Sequence, residues 1–290
     1  MLNSLTAWIK RLTSRVKGEH GRQRRLAPLQ RRRRYALRLE TLEDRVCPSA
    51  FDPANLLVVT NNTLREYTTA GALVQSFDVP YPGGRLVTES ARGVTVGQDG
   101  QAYVYNGTFS PYLSAFDPSA ETWSHTTYAG WSTVNNVSYG GVGHFQQYIF
   151  ASDMATAGAP EKGIIRFNTS EGSALRFADT KDFSTVSVGL DGEVYGIESG
   201  QIDVFDPNTL ALLRTVTVPS STDPRGLAVD ASGDIFTSDW NGYVYYFDAS
   251  GNLVDSLNTT PLVGGVGINN LTNIDVSAAG NLVVAGTPAM

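Results

Sequence analysis

Asn61, Asn106, Asp153, Glu198 and Asp239 each close a short apolar run, and Arg92, Asn136, Arg225 and Asn273 each open one. Gathered around one opening, they would form a ring of three carboxylates, four amides and two guanidinium groups. Such a ring suits a small polar ligand, or a hard cation such as Ca²⁺ held by several oxygens. Asp and Asn at the same places also serve as turn formers and caps bonded to backbone, so both readings stand. Trp123, Trp131 and Trp240 are expected to pack between strands, with Trp240, beside Asp239, the one placed at the opening. His125 is expected on an outer strand and His144 in a turn on the opposite face, which leaves no His-based base or metal cluster. No Gly-x-Ser-x-Gly elbow, phosphate loop or paired-Cys motif is present.

These residues are positioned by a refrain. Tyr67-Thr68-Thr69-Ala70-Gly71, Phe116-Asp117-Pro118, Phe167-Asn168-Thr169, Phe205-Asp206-Pro207 and Phe247-Asp248-Ala249 each join a short aromatic strand to a turn. Their aromatics lie 49, 51, 38 and 42 residues apart. A second marker, Asp99-Gly100, Asp191-Gly192, Ser232-Gly233-Asp234 and Gly280-Asn281, keeps phase with the first. A repeat of about 40–50 residues holding four strands predicts a β-propeller blade. Five blades are expected, with six as the alternative. In that fold the ends of the second strands and the starts of the innermost strands share one mouth of the central channel.

Blades two, four and five parse cleanly into four strands. The third is irregular: Gly140-Gly141-Val142-Gly143-His144 replaces the Asp-Gly hairpin, and an excursion, Ala155 to Lys162, is the expected lid or partner contact. The first blade lacks an innermost strand. The C-terminal Ile274–Ser277 is a spare one, which predicts ring closure by pairing the end of the chain with the first blade. Leu282–Ala285 then competes for the slot of Leu56–Val59 or starts a partial sixth blade.

Charge divides the chain at residue 49. Residues 1–49 hold 13 Lys/Arg and 4 Asp/Glu, and the rest holds 9 and 24. The acidic body excludes nucleic-acid binding through the propeller, since phosphates need clustered Lys/Arg. Cys47 is the single cysteine, so no disulfide forms within the chain. No apolar run reaches the roughly 18 residues of a membrane-spanning helix. The first 49 residues are expected to be a basic leader; Leu5, Trp8, Ile9, Leu12 and Val16 also allow a basic amphipathic helix.

Arg38-Leu39-Glu40-Thr41-Leu42-Glu43-Asp44-Arg45-Val46-Cys47-Pro48-Ser49 resembles a leader of surface and secreted planctomycete proteins. That resemblance implies an extracellular or cell-surface location; a cytoplasmic one is the alternative. Asp223-Pro224-Arg225-Gly226-Leu227-Ala228-Val229-Asp230, followed by Gly233-Asp234-Ile235-Phe236-Thr237-Ser238-Asp239-Trp240, resembles the repeat of NHL and gluconolactonase-like propellers. The same grammar returns in Ala91-Arg92-Gly93-Val94-Thr95-Val96. Gluconolactonase-like enzymes hold a divalent metal with Glu, Asn and Asp from different blades. Glu198, Asn136 and Asp239 imitate that set, though their blade order departs from it. Residues 50–290 are therefore expected to be a monomeric, non-enzymatic propeller binding a protein, glycan or small polar ligand through Asn61, Asn106, Asp153, Glu198, Asp239, Arg92, Arg225 and Trp240. The other expectation is a metal-dependent hydrolase or lactonase.

Overall fold

The turn residues set where strands stop. The Oδ1 atoms of Asp117, Asn168, Asp206 and Asp248 accept the backbone N–H two residues on, from Ser119, Ser170, Asn208 and Ser250, at 2.8–3.1 Å. Four of the five refrains are thus Asx turns, a local capture of backbone by side chain, and in the first the Thr68 hydroxyl accepts from Ala72 N–H instead. At the Asp-Gly hairpins, Asp99 and Asp191 accept the N–H of Gln101 and Glu193 through one oxygen. Through the other they accept the hydroxyls of Tyr103 and Tyr195, at 2.6 and 2.5 Å. Gly100 and Gly192 follow with φ of 78° and 89°, a left-handed conformation that glycine adopts without a Cβ clash.

The structure is a computed structural model. It describes residues 51–52, 54–60, 62–80, 91–106, 112–126, 141–153, 162–178, 180–198, 200–218, 224–259, 268–277 and 280–288, the side chains of 268–270, 272, 287 and 288 excepted. Among the described residues the chain is all β, with no helix. The first blade is β1 (Leu56–Thr60), β2 (Thr63–Tyr67) and β3 (Leu73–Asp78). The second is β4 (Ala91–Val96), β5 (Ala102–Asn106), β6 (Tyr112–Asp117) and β7 (Thr122–Thr126). The third is β8 (Val142–Phe145), β9 (Tyr148–Asp153), β10 (Gly163–Asn168) and β11 (Ser173–Phe177). The fourth is β12 (Thr185–Val188), β13 (Val194–Glu198), β14 (Gln201–Phe205) and β15 (Leu212–Thr217). The fifth is β16 (Pro224–Val229), β17 (Ile235–Asp239), β18 (Tyr243–Phe247) and β19 (Leu253–Asn258). Every blade is an antiparallel meander. The inner strands β4, β8, β12 and β16 pack in succession, and the sheets form a five-bladed β-propeller.

Burial follows position in the blade. The second strands β5 and β17 are buried at every residue, as strands sandwiched on both faces must be. The outer strands β3, β7 and β19 alternate between exposed and half-buried. Apolar cores lie between neighbouring blades. Tyr195, Ile197, Val204, Leu227, Val229 and Phe247 fill the space between the fourth and fifth. Leu64, Val79, Val104 and Phe116 do so between the first and second.

The first blade lacks its innermost strand, as expected. Val79 N–H donates to the Asn62 carbonyl just as Val218 does to Gly200 and Thr259 to Gly242, so β3 is an outer strand like β15 and β19. The expected closure differs. Ile274–Ser277 does not pair with the first blade: β20 (Ile268–Val276) pairs with β21 (Leu282–Pro288) in a sheet of its own, and β20 packs on β16 and β17. A hairpin across the short Ser277–Asn281 turn costs little chain entropy, whereas pairing with β1 closes a loop of the whole ring.

The third blade also corrects the sequence reading. Val142-Gly143-His144-Phe145 is the inner strand β8 itself, and the turn to β9 is Gln146-Gln147, with Gln146 at φ 53°. Gly141 and Gly143 are glycine because β12 lies against them. A Cβ on Gly141 would overlap the backbone N and O of Val186, and one on Gly143 would lie 2.5 Å from Val188 N. The excursion falls, except for Lys162, outside the described residues.

Candidate functional site at the channel mouth

The second strands β5, β9, β13 and β17 end at Asn106, Asp153, Glu198 and Asp239, so each expected mouth residue can be located by register. Asn61 and Asn136 lie outside the described residues, as does Trp131. Asp153 ends β9 fully buried, and its Oδ2 accepts from Arg176 Nη2 at 2.6 Å. Arg176 stands on the outer strand β11, so this carboxylate reaches across its own blade rather than into the channel. Glu198 ends β13 with Lys181 Nζ 3.4 Å away and the Asp182 N–H donating at 3.3 Å. Lys181 also pairs with buried Asp203, whose second oxygen accepts from Thr215 Oγ1 at 2.7 Å. These two carboxylates hold the Lys181 ammonium and raise its pKa.

Asp239 ends β17, 1% exposed. Its Oδ1 accepts the Tyr243 N–H at 2.7 Å and its Oδ2 the Tyr245 hydroxyl at 3.4 Å. Burial first, then the Asp239 charge, pushes that phenol up to about 12. The three carboxylates are therefore each engaged within their own blade. Among the described residues no group of three or more His, Cys, Asp or Glu is arranged to hold a metal ion. Asn273, on β20, is exposed.

The arginines differ in kind. Both sit on β-bulges: Ala91 pairs with Asn106 and Gly93 with Tyr105, which leaves Arg92 as the extra residue. Pro224 pairs with Asp239 and Gly226 with Ser238, which leaves Arg225 in the same position. A bulge of this kind re-aims the side chain that it carries. Arg225 lies over Trp240, 4.9 Å from the ring centroid, and Trp240 is 44% exposed. Trp240 therefore does not pack inside the sheets as expected, whereas Trp123 does, against Phe116. Arg92 has no ion-pair partner among the described residues, and its buried Nε makes no hydrogen bond. Neither does the Oδ1 of Asn106, a residue 1% exposed. A buried polar atom left so typically costs about 1–3 kcal/mol.

Both histidines stand beside hydroxyls of neighbouring strands. His125 is on the outer strand β7, as expected, with Nδ1 2.9 Å from the buried Ser114 Oγ. His144, on β8 and not in a turn, places Nδ1 3.3 Å from Thr95 Oγ1 of the neighbouring inner strand. Burial lowers its pKa, with the Asp99 charge opposing. The unfolded chain therefore binds the proton more readily as pH falls. This contribution to stability is complete above the ordinary imidazole pKa of about 6.5 and is lost as pH falls through the lower folded value. His144→Gln is expected to flatten the fall in melting temperature between about pH 7 and 5. An unchanged slope would remove His144 from the acid response.

No protein-family model and no curated protein matches the sequence. Among solved structures, the chain is similar to a protein of unknown function from Bacteroides caccae. The two share 12% identity at a TM-score of 0.55, over 78% of this chain and 84% of that one. The likeness is one of fold.

Proposed function

We propose that the chain is a binding module that takes a glycan at the channel mouth. The observation that carries this is Trp240, 44% exposed at the end of β17 with Arg225 stacked 4.9 Å from its centroid. An exposed indole presents a flat apolar face to the C–H face of a pyranose, and tryptophan loses little rotamer freedom on binding. The guanidinium on its other side orders the ring before the ligand arrives. Engagement of Asp153, Glu198 and Asp239 within their blades favours binding over metal-assisted hydrolysis. A cell-surface or secreted location is proposed from the leader at residues 38–49, and would bring the mouth into contact with extracellular polysaccharide.

A glycan array probed with the full chain tests this. Trp240→Ala is expected to lose at least tenfold in affinity for whatever is retained. Leu190→Ala, an exposed residue in the hairpin at the opposite end of the fourth blade, should bind as the parent does. An array without hits, or hits indifferent to Trp240→Ala, would overturn the reading.

A further inference from the structure

We infer that the second blade carries an anion subsite of this mouth, in which Arg92 and Asn106 take the carboxylate and an adjoining hydroxyl of an acidic sugar. The inference rests on the glycan reading above and names the ligand class. The repeat supplies its own comparison. Arg92 and Arg225 occupy the same bulge of β4 and β16, beside the residues Asn106 and Asp239 that end the paired strands. In the fifth blade Arg225 lies on Trp240, although its buried Nε, like that of Arg92, makes no hydrogen bond, and Asp239 accepts from Tyr243 N–H and the Tyr245 hydroxyl.

The second blade differs in its strand-end residue and in lacking the ring. Arg92 has no ion-pair partner among the described residues, and its buried Nε is without a hydrogen bond. Asn106, 1% exposed, leaves Oδ1 without a donor, while its Nδ2 is a long 3.5 Å from Ser114 Oγ. In the turn after β1, the strand packed on β4, the buried Oδ1 of Asn62 is likewise unpartnered. The unmet needs are complementary to one chemistry. A guanidinium fork matches the two oxygens of a carboxylate, and an amide oxygen needs an O–H. A uronic acid carries both; a bare anion would leave Asn106 unsatisfied. The acidic body, 24 Asp/Glu against 9 Lys/Arg after residue 49, repels anions at long range. At physiological salt that repulsion is screened beyond about 8 Å, so the local pair decides.

Calorimetric titration of the full chain with D-glucuronate, D-glucose and acetate tests this. Glucuronate is expected to bind at least tenfold more tightly than glucose or acetate. Arg92→Ala should remove that preference, bringing glucuronate to the affinity of glucose, and Arg92→Lys should keep part of it. Asn106→Asp, which installs the fifth blade's carboxylate beside Arg92, should also abolish it. Arg92→Ala should melt within about 2 °C of the parent, because no internal partner is lost. Equal binding of glucuronate and glucose, with both lost in Trp240→Ala, would overturn the anion subsite and leave the glycan reading intact. A preference for glucuronate that survives Arg92→Ala would overturn it too. Binding of neither sugar, together with an array without hits, would overturn both.

Discussion

Gly141→Ala is expected to lower the melting temperature by about 10 °C, following a loss of about 3 kcal/mol or more in a domain of this size. The added methyl would overlap the backbone N and O of Val186, which are strand atoms and not the movable end of a side chain. Val186 is held in register opposite Gly196 by the β12–β13 ladder, so it cannot withdraw without carrying the fourth blade with it. Gly143→Ala should cost less, because part of what it meets is the Val188 side chain. Neither glycine has the positive φ of a turn glycine, so the penalty is one of space and not of backbone strain. Thermal and urea denaturation followed by circular dichroism would measure it. A loss below about 1 kcal/mol would mean that the inner strands do not approach this closely.

Arg176→Met should destabilise the protein by about 3 kcal/mol or more, the range found when one partner of a buried ion pair is removed. Asp153 is fully buried, and Arg176 supplies a charge-assisted bond at 2.6 Å with its own side chain 13% exposed. Without the guanidinium the buried carboxylate loses its charge-assisted bond and is left under-compensated or protonated. Asp153→Asn combined with Arg176→Met should recover most of the loss, because the buried charge is then gone as well. The coupling between the two sites is the measured quantity. Additive losses would show that Asp153 is held mainly by other groups.

How far the sequence could be read depended on how far away each residue's partner lies. The Phe-Asp refrain was legible because an Asx turn is made within a few residues, as Asp206 does with Asn208 and Thr209. The Asp99-Gly100 and Asp191-Gly192 hairpins were legible for the same reason, Tyr103 and Tyr195 being four residues on. Gly143 was misplaced into a turn because the cause of its being glycine is β12, more than forty residues later in the chain. The exposure of Trp240 was likewise invisible, since its neighbour Arg225 acts from the adjacent strand.

The same distinction separates the ends of the second strands from what those ends can do. Sequence alone determined that Asn106, Asp153, Glu198 and Asp239 sit at one end of their blades, because repeat phase and strand alternation are local and periodic. Tertiary structure alone decided that the carboxylates are occupied, by Arg176 from β11 and by Lys181 ahead of β12. It also decided that Asn106 Oδ1 is left without a donor where Asp239 accepts two, and that Arg92 lacks the ring on which Arg225 lies. Two similar stretches, Ala91-Arg92-Gly93-Val94 and Pro224-Arg225-Gly226-Leu227, carry the same backbone bulge and set different neighbours around it. A hydrogen bond is set by what stands within 3 Å in space, and along a folded chain that is a property of the whole ring.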